Sequence, residues 1–247
     1  MNQVEQLFNE DGCSKLCVRF IDSQQIHNLA EHLKTNTTWL ELDLWYNSIE
    51  YQGAQALAEA LKMNTTLRGL YLGKNRIGNL GTQALAEALR VNTTLAELDL
   101  INNQISNQGT KVLSETLKIN TTLTELNLWK NKINNQGVHA LAEALKINTS
   151  LTKLGLGYNQ IGNQGAQFLA EALKTNSTLV IIELGLNRIS CQDTINKINQ
   201  KLKINQINKK RLNYLQILCL EKLKQYDRIG EMKSLNPIIY DSCIEKY

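Results

Sequence analysis

The residue types that most often carry out chemistry in proteins are few and scattered in this chain. Its three histidines, His27, His32 and His139, are too widely separated to form a metal site, which needs about four ligands close together. Cys13 and Cys17 have no second pair of ligands near them. The sequence lacks G-x-S-x-G, a Walker phosphate loop and H-E-x-x-H, which position a nucleophile, a nucleotide or a zinc ion. We therefore expect no catalysis, no cofactor and no metal.

Six Asn-x-Thr/Ser sequons would accept N-glycans in a secreted protein. The start of the chain has no basic segment followed by an apolar one, so we expect no signal peptide. We expect instead that each Asn closes the C-terminus of a helix in the left-handed conformation. The six residues recur at a constant interval: Asn36, Asn64, Asn92, Asn120, Asn148 and Asn176.

A 28-residue period determines how the other side chains are placed, with copies from residues 37, 65, 93, 121 and 149 and a degraded copy from 177. In the fourth copy, Leu126 and Leu128 are two residues apart, which predicts a short strand. Leu141 and Leu145 are four apart and predict a helix. Because such units cannot bury their apolar faces alone, they are expected to stack, with their strands in parallel and their helices outside.

Three positions hold one residue type in successive copies. An Asn is expected to be buried and to satisfy loop backbone of its own and the neighbouring copy. A Gly is expected to mark the turn into the helix, and a Glu with Lys or Arg three residues later is typical of an exposed helix face. These columns are Asn47, Asn75, Asn103, Asn131, Asn159 and Asn187; Gly53, Gly81, Gly109, Gly137 and Gly165, with Asp193 in the sixth copy; and Glu59, Glu87, Glu115, Glu143 and Glu171.

The combination L-x-x-L-x-L-x-x-N-x-I, a Gly and a LAEAL helix resembles the ribonuclease-inhibitor-like class of leucine-rich repeats, and in particular the repeat array of NOD-like receptors. The resemblance covers residues 10–205. It implies an α/β leucine-rich-repeat solenoid, a horseshoe with parallel strands on the concave face and helices on the convex face. It also implies that the concave face binds other proteins.

The resemblance and the repeat boundaries together predict three segments. Residues 1–36 are expected to form an N-terminal cap and partial repeat, residues 37–192 the 28-residue repeats, and residues 193–247 a C-terminal helical cap and tail. From residue 196 onward there are 11 Lys and Arg against 5 Asp and Glu. We expect an amphipathic helix there that covers the open end of the last repeat, through Leu212, Leu215, Leu218 and Leu223.

Residues between the strand leucines are expected to point into the concave face, where they vary from copy to copy. Two of the three Trp residues fall at the same repeat position, just after the strand, where we expect them to be exposed. Trp and Tyr rimmed by charge are typical anchors of protein interfaces, and the alternative is that these rings cover strand ends and loop backbone. We predict that a protein partner contacts Glu41, Asp43, Trp45, Tyr46, Tyr71, Lys74, Glu97, Asp99, Glu125, Trp129, Lys130, Lys153 and Tyr158.

The sequence thus predicts a protein-binding module with a recognition or scaffold role. The alternative is a regulator of a small GTPase, because the Ran GTPase-activating protein uses a similar repeat class, although its C-terminal stretch is acidic and this tail is basic. We expect a monomer that binds neither nucleic acid nor membrane. The odd count of five cysteines suggests a reducing, cytoplasmic location.

Overall fold

The computed structural model describes the backbone of residues 14–227 and the side chains of residues 14–218. The predictions for Cys13 and Leu223, for residues 1–13 and for residues 228–247 lie outside this part. The chain divides into two compact units, Met1–Leu202 and Lys203–Tyr247.

Seven short strands alternate with seven helices in the described residues. The strands pair in parallel, in chain order, in one sheet. This confirms the predicted α/β solenoid of parallel strands and helices. The elements are β1 (Lys15–Cys17), α1 (Ser23–Thr35), β2 (Glu41–Asp43), α2 (Tyr51–Met63), β3 (Gly69–Tyr71), α3 (Gly78–Leu89), β4 (Glu97–Asp99), α4 (Asn107–Leu117), β5 (Glu125–Asn127), α5 (Asn135–Leu145), β6 (Lys153–Gly155), α6 (Asn163–Thr175), β7 (Ile181–Glu183) and α7 (Gln192–Asp227).

The central leucines of neighbouring strands lie side by side, as the 28-residue register requires. Leu42 pairs with Leu70, and Leu70 with Leu98. All three are almost completely buried, whereas the residues on either side of Leu42 and Leu98 are half-buried. Strand residues therefore alternate between the core and one outer face.

The predicted Asn column lines the strand ends as an inter-repeat hydrogen-bond ladder. Asn103 is fully buried, and its Nδ2 donates to the carbonyl oxygen of Leu72 at 2.8 Å. Its backbone N–H donates to Oδ1 of Asn131, the next member of the column, at 3.0 Å. The members from Asn47 to Asn159 are buried and bond backbone groups of two repeats, as predicted, whereas Asn187 makes such bonds but is half-buried.

The sequon asparagines form a second ladder, and the prediction that they adopt a left-handed conformation is wrong. Asn64 is extended, with φ −72° and ψ 131°, and it is only 3% exposed. Its Nδ2 donates to the Leu33 carbonyl at 2.8 Å, and its Oδ1 accepts from the N–H of Leu67 at 2.8 Å. The side chain therefore closes the turn, and the amide nitrogen that a glycan would use is buried in the folded protein.

A third ladder, which was not predicted, explains three members of the Gly column, Gly109, Gly137 and Gly165, whereas Gly53 and Gly81 lie against other side chains. Oδ1 of Asn107 accepts from the N–H groups of Asn134 at 3.0 Å and Gly137 at 3.2 Å in the next repeat. A Cβ atom at Gly137 would lie 2.7 Å from that Oδ1. Gly is thus required where the Asn of the preceding repeat approaches. Asn79, Asn135 and Asn163 make equivalent contacts.

Candidate partner-binding surface

The thirteen predicted contact residues lie on one surface, here called the strand face: the outward residues of β2–β6 and the loops that follow β2, β3, β5 and β6. Seven of them are strand residues. The other six directly follow the strands: Trp45, Tyr46, Lys74, Trp129, Lys130 and Tyr158.

The loop after each strand from β2 to β7 has a residue in the left-handed region at the same repeat position, and the loops after β2 and β4 have a second one, Ser48 and Gln104. The column Tyr46, Lys74, Asn102, Lys130, Tyr158 and Leu186 has φ values from 52° to 60°. The backbone N–H groups of the first five of these residues donate to the next repeat, for example from Lys130 to the Gly157 carbonyl at 2.8 Å. Non-Gly residues rarely adopt this conformation, and here the inter-repeat bonds hold it in place.

The first aromatic cluster joins the first two full repeats. The Trp45 ring lies against Gly73, where a Cβ atom would overlap it. Its centroid is 6.0 Å from that of Tyr46. Lys74 donates to the Tyr46 hydroxyl, and its Nζ lies 4.2 Å from the centroid of that ring. Tyr46 remains 52% exposed, so it is held in place and still accessible.

The second cluster repeats this arrangement further along the sheet. Trp129 lies against Gly157, its centroid 5.3 Å from that of Tyr158. Lys130 places its Nζ 5.7 Å from the Tyr158 centroid. Tyr158 is 49% exposed. A cation near an aromatic ring that is still partly exposed is attracted to it by about 0.5–1 kcal/mol, which limits the motion of both groups.

The two Trp side chains have the structural role that was the alternative to partner binding. Both are half-buried and cover the backbone of the following repeat, because Gly73 and Gly157 leave room for the indole rings. The description of Trp45 and Trp129 as exposed is therefore wrong. Tyr46 and Tyr158 offer more accessible aromatic surface.

Most carboxylates of the strand face already have a partner within the chain. Glu41 is 2.8 Å from Lys15, and Glu125 is 3.5 Å from Lys153. Asp43 is 2.8 Å from Arg19. Lys15 and Arg19 flank β1 and were not predicted as part of this surface.

Asp99 and Glu97 have no ion pair among the described residues, and Asp99 also lacks a hydrogen bond from a side chain such as the one that Tyr71 donates to Glu97. Burial, reinforced by the negative charge of Asp43, raises the pKa of Asp99 to about 6, although the N–H of Ile101 donates to it at 2.8 Å. Burial also acts to raise the pKa of Asp43, but hydrogen bonds from Arg19 and from the Trp45 N–H hold it below its ordinary value.

Tyr71 lies between these acidic positions. Its hydroxyl donates to Glu97 at 2.7 Å, and its ring has Lys15 Nζ 5.3 Å from the centroid. Burial, followed by the bond to Glu97, raises the pKa of Tyr71. The phenol therefore stays protonated and acts as a donor.

Within residues 14–218, no three His, Cys, Asp or Glu side chains are grouped as metal ligands, and no described helix is long and apolar enough to cross a membrane. The surface is thus suited to aromatic and ionic contacts.

Comparison with known families gives two matches. Residues 18–119 match the TMOD/LMOD leucine-rich domain, which covers less than half of the chain. Residues 120–142 and 148–170 match a general leucine-rich-repeat family. No curated protein matches the sequence.

Three solved structures of differently named proteins are similar to this chain. A leiomodin-1 actin-binding site 2 is 21% identical over 87% of this chain and 93% of its own, with a TM-score of 0.47. A Caenorhabditis elegans tropomodulin C-terminal domain is 14% identical over 87% and 99%, also with a TM-score of 0.47. A Listeria monocytogenes internalin is 24% identical over 74% and 51%, with a TM-score of 0.46. With the two family matches and the parallel-strand fold, this chain is a protein that contains leucine-rich repeats.

Proposed function

We propose that this chain binds another protein through the strand face and that it catalyses no reaction. The observation that carries the proposal is the pair of accessible tyrosines, Tyr46 and Tyr158, each held beside a Lys and a Trp. Aromatic side chains that are already ordered lose little conformational freedom on binding, so they serve as anchors.

The two clusters are close enough for one interface. Tyr46 follows β2 and Tyr158 follows β6, four strands further along the sheet. With about 4.8 Å between strands, the tyrosines are about 19 Å apart. An interface of ordinary size buries about 800 Å² on each partner and covers that distance.

The charges between the clusters support a partner with a basic patch. Glu97 and Asp99 lie on β4, between β2 and β6, and their carboxylates are not neutralised by a described ion pair. Charges at an interface act mainly on the rate of association. Reversal of both charges, Glu97→Lys with Asp99→Lys, should therefore slow association, and more strongly at low salt.

We further infer a recognition or scaffold role for a monomer in the cytoplasm, in a repeat class close to that of ribonuclease inhibitor and the NOD-like receptors. The described cysteines Cys17 and Cys191 are free, which supports a reducing compartment. The small-GTPase alternative gains no support from the described residues. Faster GTP hydrolysis by a small GTPase in the presence of this chain would revive it.

The test uses the full chain with a partner recovered from its native lysate. Monomeric actin is a defined first probe, because residues 18–119 match the tropomodulin and leiomodin domain and the leiomodin-1 structure is named as an actin-binding site. Tyr46→Ala and Tyr158→Ala should each weaken binding about tenfold or more.

Tyr51→Ala is the matched control, because Tyr51 is 43% exposed but begins α2 rather than following a strand. It should leave the affinity unchanged. If Tyr51→Ala weakens binding and the two strand-face variants bind normally, the partner uses another surface.

A further inference from the structure

The last helix carries an exposed apolar surface that the repeats do not explain. Within Lys203–Tyr247, the second compact unit, six large apolar side chains of α7 are between 43% and 62% exposed. Several large apolar side chains exposed along one helix commonly mark an interaction site. These side chains are Ile204, Ile207, Leu212, Tyr214, Leu215 and Ile217.

This finding corrects the expectation that Leu212 and Leu215 cover the open end of the last repeat. The two leucines are 54% and 57% exposed. Earlier residues of the same helix, Ile198 and Leu202, belong to the buried core of the first unit. The six exposed apolar side chains of the described part of α7 are thus available for another contact.

The apolar side chains extend around more than one side of the helix. Ile204, Ile207 and Leu215 share one side, since their separations of three, eight and eleven positions place them within about 80° of one another around the axis, at about 100° per residue. Ile217 lies about 140° around the axis from Leu212, at about 100° per residue. A flat surface such as a membrane contacts one side of a helix, whereas a groove contacts several. The distribution favours a groove.

The positive charge of this helix indicates that the rim of the groove is acidic. Between Asp193 and Glu221 the chain has no Asp or Glu, and its charged side chains there are Lys197, Lys201, Lys203, Lys209, Lys210 and Arg211. Two copies of such a helix repel each other, so a second copy of this chain is disfavoured as the partner. A groove with an acidic rim attracts the Lys and Arg side chains of the helix.

We propose that residues 203–218 of α7 bind, as a helix, in an apolar groove with an acidic rim on a partner protein. This is a second interaction surface, separate in the chain from the strand face, and it does not depend on the function proposed for that face. The arrangement corresponds to the helix-in-groove mode of recognition, in which apolar side chains fill the groove and cations contact its edge.

Calmodulin loaded with Ca²⁺ is the probe, because its groove is apolar, lies on an acidic protein and opens only with the ion. Calorimetry with the full chain should show one-to-one binding that is lost when the ion is chelated. Leu215→Asp should weaken binding about tenfold or more. Gln216→Asp adds the same charge at the next exposed position and should change the affinity by only about twofold.

Two controls show that the test does not depend on changes in folding or on the strand face. Helix content by circular dichroism should be equal for Leu215→Asp and Gln216→Asp, because both parent side chains are exposed. The Tyr46→Ala with Tyr158→Ala double variant should bind calmodulin like the parent chain, whatever its effect on the strand-face partner.

Several results would overturn the proposal. One is no binding to calmodulin in the presence of Ca²⁺, and another is equal weakening by Leu215→Asp and Gln216→Asp. Binding to phosphatidylserine vesicles without binding to calmodulin would assign the helix to an anionic membrane instead. A dimer in sedimentation that Leu215→Asp dissociates would assign it to a second copy.

Discussion

Asp43 and Asp99 occupy the same outward strand position two repeats apart, yet their surroundings act on them in opposite directions. Arg19 and the Trp45 N–H stabilise the Asp43 carboxylate. Asp99 accepts from the Ile101 N–H, but burial and the negative charge of Asp43 favour its neutral form. The repeat in between has Tyr71 at this position, and the repeat after Asp99 has Asn127.

Replacement of Asp99 by Asn should stabilise the protein at neutral pH. Because the folded pKa of Asp99 is raised to about 6, above an unfolded value of about 3.9, the carboxylate lowers the free energy of unfolding above pH 6. Asn keeps the acceptor for the Ile101 N–H and removes the charge. We expect a gain on the order of 1–2 kcal/mol at pH 7.5 that disappears near pH 4, measured by urea denaturation.

Asp43→Asn is the matched control and should have the opposite sign. The folded pKa of Asp43 is lowered, so its contribution to stability is present above the unfolded pKa and is lost as pH falls through the folded value. We expect a loss of up to about 1 kcal/mol at pH 7.5. If Asp99→Asn and Asp43→Asn changed the free energy of unfolding equally, the causes given for the two pKa shifts would be wrong.

Removal of one member of the first Asn ladder should destabilise the stack strongly. Asn103→Ala leaves the N–H of Ile77 without its partner and removes one of the two hydrogen bonds to the Leu72 carbonyl, which keeps the bond from Asn75 Nδ2. Unpaired buried groups lower the free energy of unfolding by about 1–3 kcal/mol each. Lys118→Ala is the control, since it removes only an exposed ion pair with Glu115. Similar denaturation midpoints for the two variants would count against the ladder.

The residues of the strand face could be predicted from their spacing, because successive strand residues point to opposite sides of the sheet. The contacts between their side chains and the neighbouring repeats could not be predicted. That the Trp45 ring lies against Gly73 depends on the gap between two repeats. Lys15 and Arg19 were missed because the first repeat is shorter: Lys15 pairs with Glu41, an offset of 26 residues rather than 28. Extension of the regular period would have placed Cys13 opposite Glu41 instead.

Each helix begins at a crowded junction, and the Gly column tests how tight it is. Gly137→Ala would place a Cβ atom 2.7 Å from Asn107 Oδ1 and 2.8 Å from Ile133 Cγ2. Ala favours a helix over Gly by about 1 kcal/mol, but a clash between packed atoms typically costs about 1–3 kcal/mol. The net result should be a lower denaturation midpoint.

Gly185→Ala provides the comparison for that substitution. No heavy atom lies within 4 Å of a Cβ atom at Gly185. Its free energy of unfolding should change by no more than about 0.5 kcal/mol, as is usual for surface substitutions. A stabilising effect of Gly137→Ala would show that the third ladder can move aside.

Helices and strands were predictable from apolar spacing, but the conformation of the residues that join them was not. The sequon position was expected to be left-handed, as at many helix ends, and it is extended because its side chain bonds the turn. The left-handed residues instead follow the strands, at positions occupied by Tyr, Lys, Asn, Leu, Phe, Ser and Gln. These types do not distinguish such a turn in a sequence.

Across the whole molecule, stacking turns short units into one continuous apolar core from Val18 to Leu202. The period predicted this stack, because each unit must bury its apolar face against its neighbours. The environment of the distal part of α7 was not predictable, since helical spacing does not show what covers a helix. The functional claim therefore depends on which surface of the stack a partner contacts.

Carboxyl footprinting of the full chain, with and without its bound partner, tests that claim most directly. Glu97 and Glu125 lie on the strand face, whereas Glu115 and Glu143 lie on helices α4 and α5. We predict that the partner slows labelling of Glu97 and Glu125 and leaves labelling of Glu115 and Glu143 unchanged. Protection of Glu115 and Glu143, with Glu97 and Glu125 labelled as in the unbound chain, would contradict the proposed binding surface.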